Sequence, residues 1–161
     1  MIDLIKFIYK GKEKFGFSKF HNFKDFKIAL GASDKANRKA IENKNTDIIT
    51  SLEKSREKDF MHYRNSGLNQ VFCKIIKKNN ITVGFNFNDI LTAKNRAQII
   101  GKMTQNIKLC RKYRVKMAIF SGATNQYELR SAKDLISFGI TLGMTPGEAQ
   151  KAFNPKKKTI K

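Results

Sequence analysis

The 161 residues, 40% hydrophobic and 29% charged, describe one domain long enough to bury a real core and too well patterned to be disordered. No apolar run nears the ~18 residues of a membrane span. Thirty-three Lys and Arg against thirteen Asp and Glu give a net charge of +20, which points to a polyanionic partner, nucleic acid first and an anionic membrane surface second.

In chain order, Ile2–Ile8 reads as a strand. The N-terminus lacks the basic leader of a secretory signal, its apolar residues being broken by Asp3 and Lys6. Tyr9–Asp25 interleaves lysines with Tyr9, Phe15, Phe17, Phe20 and Phe23. Two readings compete there. One is a base-stacking, phosphate-gripping segment. The other, favoured because large aromatics are mostly buried, is an amphipathic or packed segment whose rings enter the core. Phe26–Leu30 predicts a short buried strand, Ser33 or Asp34 caps a helix to about Lys44 with Ala36, Ala40 and Ile41 inward, and Asp47–Thr50 is a further strand. Leu52–Gly67 is polar and aperiodic, hence an exposed loop.

Asn65 or Ser66 then caps a helix whose Leu68, Val71, Phe72, Ile75 and Ile76 form an apolar stripe. Ile81–Phe87 alternates as a strand. The helix Ala93–Tyr113 carries a seam of Ala93, Ala97, Ile100, Met103, Ile107 and Cys110, with Lys94, Arg96, Lys102, Lys108, Arg111 and Lys112 around it. Val115–Phe120 is the fifth strand. Capping boxes at Ser131–Asp134 and Thr145–Glu148 open two last helices, the first closing at Gly143. A basic tail, 154–161, follows. Strands alternating with helices imply parallel βαβ units in a single domain, 1–153, of which 1–25 is the part least defined by pattern.

Charge is unevenly spread. From Phe60 to Tyr127 there are twelve basic residues and one acid, Asp89. Histidines are only His21 and His62, 41 positions apart, with no His-x-His or Cys-x-x-Cys, so no protein-built zinc or two-metal site is expected. Cys73 and Cys110 fall on apolar helix faces and read as buried thiols of a reducing, cytoplasmic compartment. Ser121-Gly122-Ala123 follows a strand, where α/β proteins place ligand loops, but no partner for Ser121 can be named from sequence.

The segment Tyr127-Glu-Leu-Arg-Ser-Ala-Lys-Asp-Leu-Ile-Ser-Phe-Gly-Ile-Thr-Leu-Gly-Met144 resembles the signature of the ribonuclease P protein component 3 family. Ser66–Lys74, Asn80–Phe87 with Ile90-Leu91, Asn95-Arg96-Ala97, Lys112-Tyr113, and Asn37–Glu42 with Asp47-Ile-Ile are similar to other parts of the family pattern, in order, over roughly 26–153. The resemblance implies a TIM-barrel-like α/β fold of the metal-dependent phosphoesterase superfamily type. With only 25 residues before the matching region, the barrel is expected to be incomplete or open.

The resemblance further implies an RNA-binding subunit of ribonuclease P that assists the catalytic RNA in removing the 5′ leader of precursor tRNA. Its partners are the ribonuclease P RNA, protein component 2 and the other holoenzyme subunits, with precursor tRNA met indirectly and no membrane. No catalytic or metal-ligating residue is expected in the chain, and Mg²⁺ is expected on the partner RNA. Arg38, Lys74, Arg96 and Lys151 match basic positions of the pattern; with Lys108, Arg111, Lys112, Arg130 and Lys133 they are the expected RNA-binding residues. For Arg130 the competing reading is an ion pair with Glu128 or Asp134. The competing functions are a metal-dependent phosphoesterase of the same barrel type and a general basic RNA-associated protein.

Overall fold

A computed structural model describes residues 1–54, 59, 61–155 and 157. The strands are β1 (Ile2–Ile5), β2 (Lys19–Asn22), β3 (Ile28–Leu30), β4 (Ile48–Thr50), β5 (Thr82–Asn86) and β6 (Lys116–Phe120). The helices are α1 (Asp34–Glu42), α2 (Gln70–Lys78), α3 (Phe87–Leu91), α4 (Arg96–Tyr113), α5 (Ala132–Thr141) and α6 (Pro146–Lys151). All pairings are parallel, in the order β3-β4-β5-β6 in one sheet and β1-β2 in another.

The two sheets meet where β1 lies against the end of β6. Gly122 donates its N–H to the Leu4 carbonyl at 3.0 Å, and Lys6 donates to Ala123 at 2.8 Å. The Asp3 carboxylate accepts from the backbone N–H of Ser121 at 2.7 Å and from its hydroxyl. The parallel α/β class is thus as expected, with six strands among the described residues rather than five. No ladder joins β2 to β3 among the described residues, and the hydrogen-bonded ring does not close.

Alternation along the strands separates two apolar layers. Ile49, Val83, Phe85 and Ile119 face the helices, where they pack with Ile41, Ile76, Met103, Ile107 and Leu135. Ile48, Ala118 and Phe120 face the other way and pack with Leu4 and Phe26. The Phe23 ring meets Phe120 edge-on at 5.4 Å. Gly84 makes that layer possible, since a Cβ there would come within 2.7 Å of the Phe120 ring. All five residues of β5 are buried because both of its faces are covered. Burying each such large side chain contributes roughly 1.5–3 kcal/mol.

Several elements depart from the sequence reading, each for a local reason. β2 lies inside the aromatic-lysine segment, where interleaved lysines hide the strand period. Phe17 is buried and Phe15 and Phe20 pack against the core, as the packing reading of that segment has it. β3 is an edge rather than a buried strand, and Leu30 is exposed. In α1 the inward residues are Ile41 and Asn37, not Ala36; the Asn37 amide bonds both backbone groups of Ala32. α2 starts at Asn69, whose side chain caps Phe72, so Leu68 packs just before the helix and Val71 points to solvent. α4 starts from Asn95, and its seam includes Lys102 and Asn106, which the apolar pattern places outside. Leu52 and Glu53 are buried, contrary to an exposed loop there; 55–58 and 60 lie outside the described residues. Both capping boxes form as expected. In the basic tail, Lys156 and 158–161 lie outside the described residues. No helix among the described residues is long and apolar enough to cross a membrane.

Candidate nucleic-acid interface

The parallel sheet has two chemically different ends. At the base, where strands begin, α2 and α4 finish side by side. Lys77 and Lys78 occupy the last turn of α2, and Arg111 and Lys112 that of α4, where cations suit the exposed carbonyl ends. Arg114 then closes α4 in the left-handed conformation, φ +54°. Lys74, Lys77, Lys112, Tyr113 and Arg114 line one cleft of about 250 Å³. Its four cations are exposed, and no carboxylate lies within ion-pair distance of them among the described residues. The Lys112 ammonium sits 5.8 Å from the Tyr113 ring. A neighbouring cleft of about 310 Å³, lined in part by Lys116, Lys151, Thr82 and Glu148, continues the surface under β5 and β6.

Of the expected RNA-binding residues, the structure brings Lys74 and Lys112 together, with Lys151 in the adjoining cleft. Arg111 is engaged elsewhere. It grips Glu148 with two bonds, 2.9 Å and 2.6 Å, and reaches the Gly143 carbonyl at 2.7 Å, tying α4 to α6. That hydrogen bonding pulls the Glu148 carboxyl down to about 2. Arg38 pairs with Glu42 at 2.8 Å on the outer face of α1. Arg96 opens α4, and Lys108 shares a shallow cleft with Arg64 along it.

Arg130 lies at the other end of the sheet, and neither Glu128 nor Asp134 forms an ion pair with it among the described residues. It donates to the carbonyls of Leu129 at 2.7 Å and Tyr127 at 3.2 Å, and its guanidinium sits 5.4 Å from the Phe87 ring. Lys133 is exposed in the first turn of α5.

The rim, where strands end, carries a buried polar network that sequence reasoning missed. Glu53, just past β4, is fully buried and accepts from the Asn106 amide at 2.6 Å. The same amide donates to the Ser66 carbonyl at 3.0 Å. Lys102, one turn before Asn106, is fully buried with its ammonium 3.7 Å from Asp59. Asp89 accepts from Asn86 at 3.0 Å and faces Lys54 at 3.5 Å. The Asn88 amide ties the Gly122 carbonyl to Glu128. Burial pushes the Glu53 carboxyl up to about 7 against the opposing Asn106 bond. Burial likewise raises Asp3 to about 6 against its bonds from Ser121. The Lys102/Asn106 spacing of one turn, beside Met103 and Ile107, is the only local signal of this network.

Ser121 therefore does have an acidic partner, Asp3, 118 positions away, but both are buried and the pair joins two strands. His21 faces Asp25 at 3.2 Å and His62 is exposed in a loop. Among the described residues, no group of three or more His, Cys, Asp or Glu could hold a metal ion. Cys73 and Cys110 are buried free thiols, the first pushed up to about 11 by burial.

A family model described as RNase P subunit p30 matches residues 8–160. Ribonuclease P protein component 3 of Methanosarcina mazei is 32% identical over 145 residues, 86% of this chain and 56% of the relative. That of Thermococcus kodakarensis is 31% identical over 144 residues, covering 88% and 62%. A chain in the cryo-EM structure of archaeal ribonuclease P with mature tRNA superposes with a TM-score of 0.68 at 28% identity, over 78% of this chain and 52% of its own. The chain thus spans a little over half the length of the curated relatives it matches.

Proposed function

The chain belongs to the RNase P subunit p30 family, and from that premise we propose that it is an RNA-binding protein subunit of ribonuclease P. In this role it assists the catalytic RNA in removing the 5′ leader of precursor tRNA, beside protein component 2 and the other holoenzyme subunits. The observation that carries the reading is the base cleft. Lys74, Lys77, Lys112 and Arg114 stand exposed together on the adjoining C-terminal halves of α2 and α4 and the residue closing α4, with no carboxylate to neutralise them among the described residues. Cations held together in this way attract a phosphate backbone and release its counterions. Lys151 and Lys116 extend the track.

In this reading hydrolysis belongs to the RNA and to Mg²⁺ bound on it. The chain's own rim carboxylates are committed to structure: Asp3 to Ser121, Glu53 to Asn106, Glu128 to Thr124 and Asn88. The finer fold reading is a parallel barrel left open between β2 and β3, supported by β1 lying between β2 and the end of β6. The buried, unreactive thiols suit a reducing cytoplasm.

The test is reconstitution. With ribonuclease P RNA and the other subunits, the chain should raise the rate of 5′ cleavage of precursor tRNA. Alone with Mg²⁺ it should cut nothing, and its affinity for the RNA should fall with salt at a log–log slope of about −0.7 per phosphate contact or steeper. Cleavage by the protein alone, or salt-independent binding, overturns the reading.

A further inference from the structure

A further cavity lies at the rim, at the opposite end of the sheet from the base cleft. It measures about 470 Å³ and is walled by the segment after β1 and by the turn after β6, with Ile8, Tyr9 and Lys10 facing Asn125, Gln126 and Tyr127. Two of its walls are large apolar side chains left open to solvent: Ile8 is 76% and Tyr127 84% exposed. Two exposed side chains do not by themselves demand a partner, but three further features point to one.

One ring is braced by its neighbours, and the other stands on a fixed turn. Tyr9 is braced by Phe20 at 5.1 Å, Phe15 at 6.1 Å and Phe7 at 6.2 Å. Gly11 leaves room for this, since a Cβ there would run into the Tyr9 hydroxyl. Tyr127 stands on the 3-10 turn Gln126–Glu128. Its N–H is capped by Asn125 at 3.0 Å, and the turn is latched by Glu128, which accepts from the Thr124 N–H at 2.7 Å. The turn thus fixes the backbone that carries Tyr127, and the ring itself stands open for a planar partner to stack on.

The charge around the cavity is positive. Lys10, Lys12 and Lys14 are exposed on the same segment, against the single acid Glu13. The other nearby carboxylate, Glu128, is held below its ordinary range by its bonds from Thr124 and so stays charged, leaving three lysines against two acids. The edge of the cavity offers the Gln126 amide, a group that matches the hydrogen-bonding edge of a base, while the Asn125 amide is committed to the turn.

We propose that this cavity receives an unpaired nucleotide of RNA, with the base stacked on Tyr127 and the adjoining phosphate on Lys10. The inference rests on the RNA-binding reading above and adds a base-contacting site distinct from the base cleft. An exposed aromatic on a fixed turn, facing a lysine across the cavity, is the combination single-stranded RNA sites use: stacking on any base, with electrostatic grip on the backbone.

The test uses the full chain and two fluorescein-labelled probes of equal length and charge, a uridine decamer and the corresponding abasic ribose–phosphate chain. Wild type should bind the decamer better than the abasic probe and lose tyrosine fluorescence on binding. Tyr127→Ala should weaken decamer binding about tenfold and leave abasic binding unchanged. Tyr127→Phe should retain decamer binding within about twofold, because the ring and not the hydroxyl stacks. Thermal melting should not distinguish the three proteins, since the side chain is exposed. If Tyr127→Ala binds the decamer as wild type does while the salt response stays steep, the cavity inference fails and the RNA-binding reading stands. If no RNA is bound by any protein, both fail. If Tyr127→Ala spares RNA and instead blocks assembly with another subunit, this face is a protein contact and the inference is overturned.

Discussion

The base and the rim of the sheet draw on the same stretch of sequence and use its charges in opposite ways. At the base, Lys74, Lys77, Lys112 and Arg114 are exposed, close together and without acid partners among the described residues. At the rim, Lys102 is sealed in the interior beside Asp59, within a network holding Glu53, Asn106 and Asp89. Two cations of α4, Lys102 and Lys112, come from the region of twelve positive charges to one negative. Ten residues, just under three helical turns, turn one into scaffold and leave the other available to a ligand. Net charge alone therefore overstates the cationic surface open to a polyanion; burial decides which cations count.

Charge reversal at the base should have the largest effect on that contrast. Lys74→Glu with Lys77→Glu and Lys112→Glu should cut RNA affinity by about a hundredfold or more at 0.1 M salt, with little change in melting temperature. The corresponding alanines should flatten the salt slope by about 0.7 for each phosphate no longer gripped. If affinity survives the triple reversal, the cleft is not the interface. Asn106→Ala at the rim should do the reverse. It strips Glu53 of its buried donor, so the melting temperature should drop by about 5–10 °C while RNA affinity holds.

The same two regions should respond differently to pH. Glu53, raised from its ordinary value to about 7, binds its proton more tightly when folded. Its contribution is therefore full below pH ~4.5 and is lost as pH rises through 7. Glu53→Gln should melt higher than wild type at pH 8, by about 5 °C, with the gap closing below pH 5. A constant gap across that range would show that Glu53 does not titrate there. Glu148, lowered to about 2 by Arg111, acts in the opposite sense, supporting the fold above pH ~4.5 and less so as pH falls toward 2. The smallest effect belongs to Arg38→Ala. An exposed pair one helical turn apart contributes at most about 0.5 kcal/mol, so both melting and RNA binding should stay within error. A marked loss of RNA binding would instead add α1 to the interface.

Sequence patterning locates five of the six described strands and the two capping boxes because period and caps are local. It misses β2, where alternating lysines and rings mimic an amphipathic segment, and α3, a helix of five residues too short to show a period. It also does not show which candidate cations already have a partner. Arg38, Arg111 and Arg130 qualify in sequence as basic residues, but each has a structural engagement: with Glu42, with Glu148, or with carbonyls and the Phe87 ring. For Arg111 and Arg130 the partner is a tertiary fact, Glu148 and Phe87 lying 37 and 43 positions away, whereas Glu42 is one helical turn from Arg38 and legible from spacing. Sequence does name Lys74 and Lys112 singly as basic helix residues, and their meeting in one cleft is a product of the packing of α2 against α4.

The bond between Asp3 and Ser121 has a consequence in time as well as in space. Within the larger sheet, β3 to β6 pair between neighbours in sequence order, so each strand finds its partner by closing a modest loop. β1 instead needs β6, across 118 positions, before its buried carboxylate is satisfied. Contacts so distant are late in folding, because the chain entropy of closure must be met before the contact returns anything. The β1–β2 ribbon should therefore acquire protection from hydrogen exchange after the β3–β6 sheet during refolding, and lose it first on the way out.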